Sequence, residues 1–236
     1  MAVQRFEELN TLRGYADIYY SKLNLPDAIK KKRIDLCMEF TELMLLLFYM
    51  MEGKELQDFE YIAFLEERLR IIAQNYLEVE NLAYINDWSK KQAKIIVEET
   101  EKLFEEELDD YRETNEEQEE QKQQEEARHF EEFGVDVPKK QYPTSGVRAV
   151  LLAIQCNTSV YNYSEYYQAV QMGYQRKVWH CTHIHTRESH LATEGQDRAI
   201  NDLFDVNGEQ MLIPGDITYD PSLREICGCN CTVDYY

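Results

Sequence analysis

The chain has 236 residues, 44% hydrophobic and 30% charged, enough to bury the core of one large domain or two small ones. With 45 acidic against 25 basic side chains its formal charge is −20, which excludes tight general binding to nucleic acid because no net cationic surface exists to release counterions. The most apolar run, residues 43–51, is far shorter than the roughly 20 residues a membrane-spanning helix needs. No apolar stretch follows a basic start, so a soluble intracellular protein without membrane contact is expected. In a reducing compartment its six cysteines are free or metal-bound rather than disulfide-bonded.

Residues 1–103 read as a helical domain. Proline occurs there only at Pro26 and glycine only at Gly14 and Gly53. Tyr61, Leu65, Leu69, Ile72 and Tyr76 recur at helical spacing, and Trp88, Ile95, Ile96 and Leu103 form a second amphipathic pattern. Breaks at residues 24–26, near Gly53 and at residues 81–87 predict four or five helices, packed as a bundle or an irregular α-domain. Run 43–51 is the buried face and centre of one of them. The short basic runs Lys30-Lys31-Lys32-Arg33 and Lys139-Lys140 read as solvated faces.

Residues 104–136 change character. Between 104 and 133 fourteen acidic residues face three basic ones, a net −11 of the chain's −20. Almost no apolar side chain interrupts the middle of this stretch, so it buries no core of its own. Glu, Gln and Lys favour a solvated helix continuing from the preceding one, or a mobile spacer. A basic partner docking on this acidic surface is the sharper alternative.

Residues 137–236 read as a small α+β module, so the whole chain is predicted to be α+β. Thr144 or Ser145 caps a helix running to about Met172 and closed by Gly173. Residues 176–185 form a strand on which Trp179, Cys181, His183 and His185 share one face and His180 the other. Asn207-Gly208, between residues 204–206 and 210–213, is a type I′ hairpin signal. Pro214-Gly215-Asp216 turns the chain, and residues 231–236 close the module as a strand.

Four of the five histidines and four of the six cysteines lie in the last sixty residues, 177–236. Histidine and thiolate are the ligands zinc prefers. Cys229-x-Cys231 brings two sulfurs together, and His190 with one of Cys181, His183 and His185 completes a tetrahedral site. A closed site of that kind is structural. The competing reading is a reduced, packed core with His190 and Arg187 hydrogen-bonded to loop carbonyls. Arg187 either holds Glu194 or Asp197 in a bidentate pair or contacts a partner or a phosphate, and the internal pair is the expectation. Trp179 reads as core, and the tyrosines at 161, 163, 166 and 167 as packing and interface, since no Lys or Arg interleaves them for base stacking.

From about Arg148 onward the residues resemble a family. A helix carries Ile154, Asn157, Thr158 and Asn162 and ends at Gly173. Lys177-x-Trp179 follows, then Thr186-Arg187-Glu188-Ser189-His190 in the manner of a T-R-x-x-H motif, and then the turn Glu194-Gly195-Gln196. Phe204, Asn207-Gly208, Pro214-Gly215-Asp216 and the terminal Cys229-Asn230-Cys231 complete the order. This succession resembles the C-terminal domain of phage head morphogenesis proteins, the Mu F-like minor capsid proteins. His183 stands where many members have Asp, and Cys227-Gly228 where others have an apolar residue and Asn. The resemblance implies a structural protein of the phage head that binds the portal protein and a scaffold or major capsid protein. It implies a place in the head interior or at the portal vertex, after assembly in the bacterial cytoplasm. DNA packaging or ejection is the remaining link of such proteins to DNA.

Catalytic signatures are missing: there is no GxxxxGK[ST], GxSxG, HExxH or GxGxxG. The enzymatic competitor is a metal-dependent nuclease using His183, His185, His190, Glu188 and Glu194, or a module associated with a toxin system. The acidity and the thiolate-rich surroundings weigh against it, and a non-enzyme is expected.

Overall fold

The computed structural model describes residues 2–23, 25–53, 56–78, 82–113, 144–182 and 186–236. The first four helices are α1 (Ala2–Ser21), α2 (Asp27–Glu52), α3 (Asp58–Leu77) and α4 (Ala83–Glu113). Each buries a stripe at helical spacing: Leu12, Tyr15, Ala16, Tyr19 and Leu23 in and just after α1, Tyr61, Leu65, Leu69 and Ala73 in α3, and Ile85, Trp88, Ala93 and Ile96 in α4. Run 43–51 sits inside α2, with Leu43, Met44, Leu47, Phe48 and Met51 buried. The third break falls before Ala83, so residues 83–87 are helical rather than part of a loop. The Glu60 carboxylate accepts the Gln57 N–H at 2.8 Å and caps the start of α3. Helix α4 continues into the acidic stretch as far as Glu113. The rest of that stretch, and Lys139-Lys140, lie outside the described residues.

Helix α5 (Thr144–Gln171) is the centre of the molecule. Residues 153–164 are buried on every side. Its closest packing is against α2, and it also touches α1 and α3. The helix assigned from sequence to the C-terminal module thus shares one core with the helical part, to which Leu212, Ile213, Ile217 and Ile226 also contribute. It ends at Gly173 (φ +80°): the Gly173 N–H bonds the Val170 carbonyl (3.1 Å) and the Tyr174 N–H the Ala169 carbonyl (3.1 Å), a Schellman ending.

Arg33 departs from the sequence reading. It does not lie on a solvated face but is fully buried between α2 and α5. Its Nε donates to Asn157 Oδ1 (2.9 Å) and its Nη2 to Thr158 Oγ1 (3.1 Å), and Asn157 returns a bond to the Arg33 carbonyl (2.6 Å). The guanidinium carbon lies 4.6 Å from the centre of the Tyr161 ring and 5.1 Å from that of Tyr20. The buried tyrosines are packing residues, as expected, and Tyr163 stacks on Tyr84 at 3.7 Å.

Past α5 come β1 (Arg176–His180), α6 (Glu188–Thr193), β2 (Asp197–Ala199), β3 (Phe204–Val206), β4 (Glu209–Met211), α7 (Leu223–Ile226) and β5 (Thr232–Tyr235). The chain is therefore α+β, mostly helical, with a small antiparallel sheet at its C-terminal end. The sheet order is β2-β1-β5, and β3 and β4 form a separate hairpin. The β1–β5 register pairs Lys177 with Tyr235 and His180 with Thr232. Strand β1 stops at His180, short of the expected 185, and residues 183–185 lie outside the described residues. The Asn207-Gly208 turn has φ of +56° and +85°, the type I′ geometry read from sequence.

Candidate metal centre

A second, smaller core lies under the sheet: Trp179, Cys181, Phe204, Val206, Met211, Cys229, Cys231 and Val233. It forms because β1, β3 and β5 each alternate, sending Trp179, Phe204, Val206 and Val233 to one side. Strand β1 delivers Cys181 to this core one residue past its end. Helix α6 delivers His190, and the loop before β5 delivers Cys229 and Cys231.

Among the described residues, His190, Cys229 and Cys231 form one group able to hold a metal ion: their ligand atoms all lie within 4.8 Å of one another, and all three side chains are buried. His190 Nδ1 is 3.6 Å from Cys229 Sγ and 3.4 Å from Cys231 Sγ. Zn–S of about 2.3 Å and Zn–N of about 2.0 Å in a tetrahedron imply a sulfur–nitrogen edge of about 3.5 Å, which both sulfur–nitrogen separations match. Cys181 lies at its edge. Its Sγ is 3.6 Å from Cys231 Sγ and donates to the His190 carbonyl at 3.1 Å. His183 and His185 fall outside the described residues.

The surroundings orient this trio. His190 Nε2 lies 3.2 Å from Glu225 Oε2, both side chains almost wholly buried. No hydrogen bond joins the two, and the Glu225 carboxylate stands behind the imidazole as a close polar neighbour. Ser189 Oγ donates to the same carboxylate oxygen at 2.6 Å. The Trp179 ring meets the imidazole edge-on, at 5.5 Å. Cys231 is pinned by its carbonyl, which accepts from Asn162 Nδ2 of α5 (3.0 Å), and Asn230 Nδ2 donates to the Tyr19 hydroxyl of α1. Hydrogen bonds from Cys231 and His190 hold the Cys229 thiol far below an ordinary cysteine despite burial. Hydrogen bonds with Cys181 and Cys229, together with burial, push the Cys231 thiol up. A cation entering the trio would bind the two cysteines as thiolates, displacing any proton they hold.

The remaining motif residues have structural partners. Arg187 does not pair with Glu194 or Asp197. It starts α6 and donates through Nη2 to the Cys227 carbonyl, latching α6 to the cysteine loop as the packed-core alternative had it. Asp197 is held instead by Arg176 (2.9 Å) and the Tyr236 hydroxyl (2.7 Å). Glu194 accepts the Cys181 N–H at 2.5 Å and faces His180 Nδ1 at 3.0 Å. His180 points away from the core, as the alternation requires, with its Nε2 3.2 Å from Asp234. Thr186 leads into α6, half-buried. In the turn after α6 the Gly195 N–H bonds the Trp179 carbonyl (2.9 Å), and the Gln196 side chain brackets the Asp205 backbone (2.8 and 3.1 Å).

Sequence reading missed Glu225 and Asn162 as supports of the centre. Glu225 has no fixed spacing from His190 or from the cysteines, and Asn162, although one of the family-like helix residues, gave no sign of which carbonyls it bonds. No protein-family model, no curated protein and no solved structure matches the chain.

Proposed function

We propose that this chain is a minor capsid protein of a tailed phage or prophage that works by binding: it joins the portal and the procapsid during head assembly. The observation that supports this reading is the ordered succession of family-like residues from about Arg148 onward, several of them bonded internally as scaffold. Asn157 bonds Arg33, Asn162 bonds the Pro214 and Cys231 carbonyls, and Lys177 bonds the Leu212 carbonyl. Asp216 accepts the Leu212 and Thr218 N–H groups, and Gln196 brackets Asp205. Residues consumed in internal bonds build a rigid module, which suits assembly rather than chemistry. His190, the one described histidine of the nuclease alternative that lies in the metal trio, is buried against sulfur and not open to a phosphodiester.

The centre is read as structural zinc held by His190, Cys229 and Cys231, with Cys181 the described neighbour best placed to close the fourth position. Histidine with thiolates is the donor set for that ion, and its charge supplies folding free energy to a core of only eight buried side chains.

Full-length protein co-expressed with the portal protein encoded beside its gene tests the binding role. Stable co-sedimentation with portal or procapsid is expected. Free protein in every fraction, or nicking of plasmid DNA with magnesium, manganese or zinc, overturns it. For the centre, elemental analysis of protein made without a polyhistidine tag is expected to find about one zinc per chain, lost in Cys229→Ser. Sub-stoichiometric metal unchanged by that substitution sinks the zinc reading.

A further inference from the structure

Cys231 can hold a metal ion or join a second sulfur, and the two are chemically exclusive. On one side stand His190 Nδ1 and Cys229 of the metal trio. On the other stands Cys181, with Sγ 3.6 Å from Cys231 Sγ. The strand register explains the second contact. Arg176 and Tyr236 exchange both backbone hydrogen bonds (2.9 and 3.1 Å), which makes them a hydrogen-bonded pair. Along an antiparallel ladder such pairs alternate with non-hydrogen-bonded ones. The register continues through Trp179–Val233 and His180–Thr232. One step further it sets Cys181 opposite Cys231 at a non-hydrogen-bonded position. There α-carbons lie about 4.5 Å apart and side chains meet most closely. That separation is inside the range of roughly 4.4–6.8 Å that a disulfide spans. The backbone at Cys231 is held by Asn162 and that at Cys181 by Glu194.

We propose that Cys231 is a redox-exchangeable ligand. In the reduced protein it holds the metal with His190 and Cys229. On oxidation by a hydroperoxide it leaves the ion and forms a cross-strand disulfide with Cys181. Cys181, the more exposed of the pair, reacts first. Its sulfur gives up the proton it shares with the His190 carbonyl and attacks a peroxide oxygen: an S–O bond forms, the O–O bond breaks, and the departing oxygen takes that proton to leave as water or alcohol. The Cys231 thiolate then attacks the sulfenic sulfur: the S–S bond forms, the S–O bond breaks, and hydroxide leaves with a proton as water. Two thiolates lose two electrons, the peroxide gains them, and the metal departs with its oxidation state unchanged. His190 and Cys229 alone are too few ligands to retain it. This rests on the metal reading of the centre and is independent of the capsid reading.

The test uses the full chain, purified without a polyhistidine tag under a dithiol reductant. Bound zinc is measured, the protein is treated with hydrogen peroxide, released zinc is followed with a chromogenic chelator, and disulfides are mapped by mass spectrometry of unreduced proteolytic peptides. The expected result is loss of the bound zinc together with a Cys181–Cys231 peptide pair, both reversed by dithiol and added zinc. Cys227→Ser, which removes the exposed neighbouring thiol, gives the same pair. Reduced protein that carries no zinc overturns the metal reading and the exchange with it. Zinc present but released with a Cys229–Cys231 bond, with no disulfide, or only when Cys227 is intact overturns the exchange alone.

Discussion

Lys177 is wholly buried, donates from Nζ to the Leu212 carbonyl at 2.7 Å, and otherwise faces the rings of Phe204 (4.8 Å) and Tyr166 (5.6 Å). Burial lowers its pKa from 10.5 to about 7, against the pull of Asp216 and Asp202. Between those values the unfolded chain binds a proton that the folded chain does not, so stability rises with pH across the window. The contribution is complete above the unfolded value and is lost as pH falls through about 7. Lys177→Met removes this dependence. In urea unfolding the variant should be the more stable protein at about pH 6, with the gap narrowing as pH rises toward 10.5; a pH-independent difference refutes the assignment. Arg33 obeys the same physics with a different outcome: its fork is met by Asn157, Thr158 and two rings. Arg33→Ala should cost about 3 kcal/mol or more, by leaving those partners unpaired beside a cavity, and Arg33→Lys should not restore it, because an ammonium lacks the planar fork. Urea midpoints decide both. Neither role was legible in the sequence, where Arg33 ends a basic run of surface type and Lys177 sits on a short strand.

At the scale of elements, α5 ties the module together through polar side chains. Asn162 alone bonds the Pro214 and Cys231 carbonyls (3.1 and 3.0 Å), and Ser159 bonds the Gly215 carbonyl at 2.5 Å. Gly215 has φ +80°, and a Cβ there would sit 3.3 Å from both Ser159 Oγ and Thr158 Cγ2, so the turn packs against the helix only as glycine. Asn162→Ala should cost about 1–3 kcal/mol and weaken metal retention, because it frees the backbone of Cys231. Gln196→Ala loosens only the link to the β3–β4 hairpin and should leave the metal in place. Chemical denaturation paired with zinc content separates the two effects, and equal metal loss in both variants would deny α5 its special role. Elements marked by local chemistry were readable: the Asn207-Gly208 hairpin, the Gly173 ending of α5 and the terminal strand. The length of β1 was not, because apolar alternation continues past His180 while the pairing stops there.

For the molecule as a whole, the decisive fact is where α5 sits. Its closest partner is α2, and its buried side chains belong to the same core as those of α1 to α4. The sequence boundaries of 1–103 and 137–236 cut through that shared core. A fragment beginning at residue 104 would expose the α2-facing side of α5, including Ala149, Ala153, Val160 and the partners of Arg33. It should unfold without a cooperative transition and bind a hydrophobic dye. A sharp transition with native near-ultraviolet circular dichroism from that fragment would show that the C-terminal module stands alone.

Sequence by itself determined the class of the described segments, because helical and strand periodicities and turn dipeptides are local properties of neighbouring residues. It also placed Cys229, Cys231 and His190 together as candidate ligands, since few other arrangements of thiol and imidazole concentrate so tightly. Tertiary structure alone decided that a helix rich in Asn, Thr, Ser and Gln lies at the centre, that Arg33 and Lys177 are buried, and that Arg187 grips the Cys227 carbonyl rather than a carboxylate. Those outcomes depend on pairings across more than a hundred residues for Arg33 and about forty for Arg187. The free energy of burying a polar group is set by whichever distant partner arrives to satisfy it, and that partner leaves no mark in the local pattern.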